Sequence, residues 1–326
     1  MSAERIHRRL LLITAAAGLA AGLVAATGVP AMAEPASPSW CAATGTLSAS
    51  KIPHRITPSQ CKLAGRTIRA THIGAVVPPR GQTVSADALL TNGSEELTLS
   101  TSSDGTVTTS IGLEQPKVAK LASPPACSDT AYTREPWKWT TNGTYTWYYN
   151  STNDTYSVLT HADALAAVRN ATSNIVVGYN DCGYTGKPNI YQSYAGTTTT
   201  GVNITTAGSC GTTDSYNISQ WLGMSVSGLL GLTCTWYNSS THIAAYSDMA
   251  LNYNFSWWNG SGSCSGYYDA QSVATHERGH TFGLDHVDPS THYYETMTTT
   301  MPSCDSSKRT LAAGDQGGLT ATYGYH

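Results

Sequence analysis

The sequence predicts an α+β protein: a twisted mixed sheet under a long helix, preceded by a small β-rich region. Three observations carry that reading. Between residues 143 and 179 a strand-like run, a helix-like run and a second strand-like run follow one another. Farther on, Asp269 stands as N-cap before a stretch whose histidines recur at helical spacing. Near the start, alternating residues flank Asp104-Gly105, the signature of a β-hairpin.

The elements follow in order. The first 33 residues read as a secretory signal, with Arg5, Arg8 and Arg9, an apolar run from Leu10 to about Ala26, and Ala31-Met32-Ala33 as a cleavage site. Residues 34–125 are poor in aromatics and rich in Ser, Thr and Pro, and Leu97–Ser100 with Val107–Thr109 form the expected hairpin. Ala122-Ser123-Pro124-Pro125 reads as a linker. From 126 to 326 tryptophan and tyrosine become abundant. The run from Gly143 to Tyr149 is a strand by its aromatic and β-branched content. Thr160, with Asp163 three residues on, opens a helix to about Ala171, and Ile175–Tyr179 is read as the next strand. Thr197–Gly211 reads as loop or edge structure, and Leu229–Thr233 and Ala245–Asn252 as strands. One of these two should border the cleft, where an extended peptide can add to the sheet; the first is assigned that place.

All eight cysteines follow the signal, two before residue 125 and six after it, and none forms a C-x-x-C pair. An even count in an exported chain predicts disulfides closed within each part. The net charge of −3, with no basic cluster, gives no reason to propose nucleic acid or a membrane surface as partner. A secreted monomer is expected.

The chemistry is concentrated in His276-Glu277-Arg278-Gly279-His280-Thr281-Phe282-Gly283-Leu284-Asp285-His286. On a helix, His276 and His280 share a face and can offer two imidazoles to one metal ion. Gly283 permits the backbone turn that returns His286 as a third ligand. Three nitrogen ligands leave a fourth position open, the arrangement of a catalytic Zn²⁺, with Glu277 beside it as general base. His242 and His292 lack ligand spacing and read as surface residues. The competing reading makes Glu295 the third ligand, as in thermolysin-like peptidases. A further alternative is a secreted zinc-binding or adhesion protein without turnover.

These eleven residues resemble the metzincin metallopeptidases, and Gly283-Leu284-Asp285-His286 is similar to the matrixin branch. The resemblance implies a catalytic domain with a long active-site helix and a small C-terminal subdomain ending in a helix, acting as a zinc endopeptidase on proteins or peptides. It implies a methionine beneath the zinc, assigned to Met297 with Met301 as runner-up. Thr299, or Ser303 if Met301 is the turn, stands where astacin-like and serralysin-like members carry a tyrosine. Leu311–Gly324 keeps the spacing of the matrixin terminal helix, with Asp315 as a structural hydrogen-bonding residue and Gly314 in place of the family's first aspartate. Ala245–Asn252 is similar to the matrixin A-D-I-type strand. Matrixin propeptides use a P-R-C-G segment; Pro79-Arg80-Gly81 lacks the cysteine, so residues 34–125 read either as a propeptide without thiol latency or as a retained module. The family's calcium and second zinc are not asserted, because the histidine- and aspartate-rich loop of that second site is absent.

Overall fold

The computed structural model describes residues 38–41, 44–114 and 123–326. The signal read over residues 1–33 and the Ala122 end of the linker lie outside them. In chain order the strands of the first part are β1 (Leu47–Ser48), β2 (Arg55–Ile56), β3 (Thr67–Arg69), β4 (Gly74–Val76), β5 (Gln82–Leu90), β6 (Gly93–Thr101) and β7 (Val107–Glu114). Those of the second part are β8 (Thr133–Arg134), β9 (Thr144–Asn150), β10 (Tyr191–Thr198), β11 (Ser209–Cys210), β12 (Ile218–Leu222), β13 (Leu229–Asn238), β14 (Ala244–Asn252), β15 (Trp257–Trp258), β16 (Tyr268–Asp269) and β17 (Leu284–Asp285). The helices are α1 (His161–Val177), α2 (Ala270–Thr281) and α3 (Ala313–Tyr323). The architecture is mixed α/β, compatible with the expected class.

Nine strands form one sheet in the order β10-β9-β12-β14-β13-β5-β6-β7-β2. β10, β9, β12 and β14 run parallel, and every later neighbour is antiparallel. The hairpin expected around Asp104-Gly105 is β6–β7. β13 is not an edge. On its far side β5 pairs with it from Leu90 opposite Leu229 to Gln82 opposite Asn238, which corrects the expectation that this strand borders an open cleft. The reason is long-range: only pairing between strands some 140 residues apart removes that edge, and local alternation carries no trace of it.

Alternation places the two faces. Val84, Ala86, Ala88, Leu97, Leu99, Leu232, Cys234 and Trp236 point into one core with Ile68, Ile73, Ala75 and Val77. The opposite face packs Tyr145, Trp147, Tyr149, Trp221, Met249 and Leu251 under α1 and α2. Both parts of the chain contribute to the first of these cores. The small sheet β1-β3-β4-β11 also joins them, since β11 pairs with β4.

α1 begins as expected: Thr160 Oγ1 accepts the amide of Asp163 and its hydroxyl bonds that carboxylate. Its end differs. Ile175, Val176 and Val177, read as the start of a strand, form the last turn, and the next strand is β10. Ala164, Ala167, Val168, Ala171, Thr172, Ile175 and Val176 keep one buried stripe, so burial overrides the β-branched preference. Gly178, in the left-handed region, ends the helix.

Four disulfides join Cys41–Cys61, Cys127–Cys182, Cys210–Cys234 and Cys264–Cys304, each within its own part of the chain, and no cysteine is free. Among the described residues no helix is long and apolar enough to cross a membrane.

Candidate metal centre

Helix α2 presents the first two histidines because its start and its end are both fixed. Asp269 Oδ1 accepts the Ser272 amide at 2.7 Å, and the same carboxylate receives Arg309 Nε and Nη2. The helix therefore begins at a pinned cap. At the other end Gly283 takes φ +82°, and the chain reverses into β17, which pairs with β8. A Cβ at position 283 would stand 3.0 Å from the Trp137 carbonyl, so the turn is closed to larger residues on two counts.

The reversal brings three imidazoles together. Nε2 of His276 lies 3.2 Å from that of His280 and 3.1 Å from that of His286, and the last two are 3.1 Å apart. A tetrahedral zinc with Zn–N of about 2.0–2.1 Å separates its nitrogens by about 3.3–3.4 Å, so the triangle fits such an ion with slight expansion. Each ring is held from behind. Nδ1 of His276 faces the Thr296 carbonyl at 2.9 Å, that of His280 the Leu284 carbonyl at 3.1 Å, and that of His286 the Glu96 carboxylate at 2.6 Å. With Nδ1 as donor, each Nε2 keeps its lone pair for a metal. Burial, and then the neighbouring His286, hold His276 and His280 well below the ordinary imidazole range, so both are neutral donors.

Glu277 points from α2 toward β13. Its Oε2 receives the Thr233 hydroxyl at 2.6 Å; Oε1 has no side-chain hydrogen-bond partner, and the backbone of Leu89 on β5 approaches the carboxylate. A buried carboxylate oxygen left so is costly unless a ligand, water or ion completes it. Gly231 makes the room, since a Cβ there would fall 2.4 Å from Oε1. Burial pushes the Glu277 carboxyl up to about 8, against the pull of the Thr233 hydrogen bond and of His286. A bound divalent cation would draw it down again.

Met297 packs its sulfur against α2 at Gly279, between the first two histidines. Its amide, with those of Thr296 and Ala312, donates to Asp315, whose carboxylate thus ties the segment after His286 to the start of α3. Met301 is buried in the same core. Glu295 is committed elsewhere. Its two oxygens accept the Gly314 and Asp315 amides at the start of α3, and it does not join the histidine group. That placement corrects the alternative that made Glu295 a ligand; burial, reinforced by the Asp315 charge, raises its carboxyl to about 10. His292 pairs with Asp129 rather than with the centre.

Several residues at the centre have no sequence signal. Thr233 could be placed only by knowing which face of β13 meets α2. Asp87, Glu96, Glu135 and Asp285 gather around His280 and His286. Burial first, then neighbouring carboxylates, raises Asp87 and Glu135 well above their usual range and Asp285 to about 6. Glu96 goes the other way: burial works to raise it, but the His286 hydrogen bond and charge outweigh that and lower it. Two of the four, Asp87 and Glu96, come from the first part of the chain, where they sit directly opposite each other on β5 and β6. All three imidazoles and Glu277 are buried, His286 most exposed at 5%.

No curated protein matches the chain. The matrixin family model matches residues 229–324, from β13 through α3. That stretch, which holds the three converging histidines, Glu277, Met297 and Asp315, is similar to the matrixins.

Proposed function

We propose that the chain is an exported zinc endopeptidase whose described form is closed. The observation that carries the reading is the triangle of Nε2 atoms with Glu277 Oε1 unpaired beside Gly231. Zinc held by His276, His280 and His286 would polarise a peptide carbonyl and bring its water toward neutral pKa. Glu277 takes a proton from the attacking water at Oε1 and delivers it to the departing amine, while Thr233 fixes Oε2. Met297 supports the helix between the ligands without binding metal. Four disulfides suit an oxidising compartment outside the cytosol.

The substrate is an extended protein or peptide segment, and in the form described its place is taken. β5 pairs with the side of β13 on which such a segment would add. With the imidazoles buried, residues 34–125 act as a propeptide, and activity follows their displacement or removal. The test is a peptide-library assay on protein recovered from the medium, with N-terminal sequencing of the active species. Cleavage abolished by 1,10-phenanthroline, restored by Zn²⁺ and accompanied by a start near Cys127 is expected. Activity indifferent to chelation would end the zinc reading; a fully active species starting near Glu34 would end the propeptide reading.

A further inference from the structure

We infer that Glu96 is a positioning residue for His286, so that the first part of the chain completes the metal site built by the second. The inference rests on the zinc reading above and concerns how the site is loaded.

The three histidines are not held alike. His276 and His280 stand on one helix, and each turns its Nδ1 to a main-chain carbonyl of the same part of the chain, at Thr296 and Leu284. His286 follows the two-residue strand β17 and has no helix to orient it. Its ring is fixed by a side chain 190 residues away, Glu96 Oε1 at 2.6 Å from Nδ1. A carboxylate acceptor fixes the tautomer that leaves Nε2 free, and its bond strengthens as a metal draws charge from the ring.

Glu96 is aimed by the sheet. It lies in the middle of β6, opposite Asp87 on β5 and Gly112 on β7. The absence of a side chain at Gly112 leaves the space it uses, since a Cβ there would be 3.0 Å from Glu96 Oε2. The neighbouring positions Leu97 and Leu99 point to the opposite face, into the core shared with β13. The carboxylate is thus delivered on a rigid element, and its position depends on the β5–β13 pairing. Zinc binding and docking of the first part are thereby linked: each strengthens the other by the same factor. The full-length chain is the form that acquires zinc best.

The test measures the zinc dissociation constant of the full-length chain by competition with a chromophoric chelator, alongside thermal melting of the metal-free protein. Glu96→Ala is expected to weaken zinc binding about 10- to 100-fold. Glu96→Gln, which keeps an acceptor without the charge, should fall between Glu96→Ala and the unaltered chain. Leu97→Ala loosens the same strand without touching His286, so it should lower the melting temperature and weaken zinc binding far less than Glu96→Ala does. Zinc affinity in Glu96→Ala equal to that of the unaltered chain would overturn the inference. So would equal losses in Glu96→Ala and Leu97→Ala, the pattern of a purely structural strand. If the unaltered chain binds no zinc and His276→Ala changes nothing, the metal reading itself fails; if His276→Ala abolishes zinc while Glu96→Ala is silent, only the role of Glu96 falls.

Discussion

Glu277→Ala is expected to retain one zinc per chain and to lose about 10²- to 10⁴-fold in kcat on any peptide the activated protein cleaves. Metal retention follows from the geometry, because the three Nε2 atoms close their triangle without the carboxylate. The loss follows because Oε1 is the uncommitted oxygen of a side chain whose other oxygen is already bonded to Thr233. Alanine leaves the attacking water with no base in reach and the departing amine with no donor. KM should move little, since the carboxylate makes no contact that depends on the peptide's own side chains. Metal analysis and steady-state kinetics on the same preparation check both halves. Hydrolysis at the unaltered rate would remove Glu277 from the mechanism; loss of zinc would make it a ligand.

Arg278→Ala should be among the most destabilising single changes in the chain, at about 2–4 kcal/mol by denaturant unfolding of the full-length protein. The side chain is fully buried between α2 and the parallel strands. Its Nη1 donates to the Tyr145 hydroxyl at 2.9 Å and Nη2 donates to Ser219 Oγ. The guanidinium lies over the Tyr145 and Trp147 rings at 5.4 and 5.0 Å. Alanine leaves a large void, takes the donor from Ser219 Oγ and leaves the Tyr145 hydroxyl only its bond to the Ser247 carbonyl, whereas Arg278→Met fills the space and should cost less than half as much. A shift below about 0.5 kcal/mol for Arg278→Ala, the range of an ordinary surface substitution, would mean that this buried cation does not hold the helix to the sheet.

The centre was legible where its determinants are local. Three ligands within eleven residues declare themselves, because helical spacing and one glycine-permitted turn suffice to bring them together. The Asp269 cap, the Thr160 start of α1 and the β6–β7 turn were readable for the same reason. Ile175–Val177 misled because three β-branched residues favour strand in isolation, while the stripe running from Ala164 to Val176 could be judged only against the core it fills. The pairing of β5 with β13 and the reach of Glu96 to His286 were invisible, since both join segments more than a hundred residues apart through contacts no periodicity encodes. Sequence reasoning also gave Arg278 no role between Glu277 and Gly279, although its burial sets how α2 lies on the sheet.

X-ray absorption at the zinc edge of the full-length protein addresses the centre most directly. One zinc per chain is expected, with three imidazole nitrogens at about 2.0–2.1 Å, no sulfur and a single further light atom. Replacement of His286 by alanine should remove one imidazole from that shell. A spectrum unchanged in His286→Ala, or a shell built from sulfur or from four protein nitrogens, would contradict the three-histidine site.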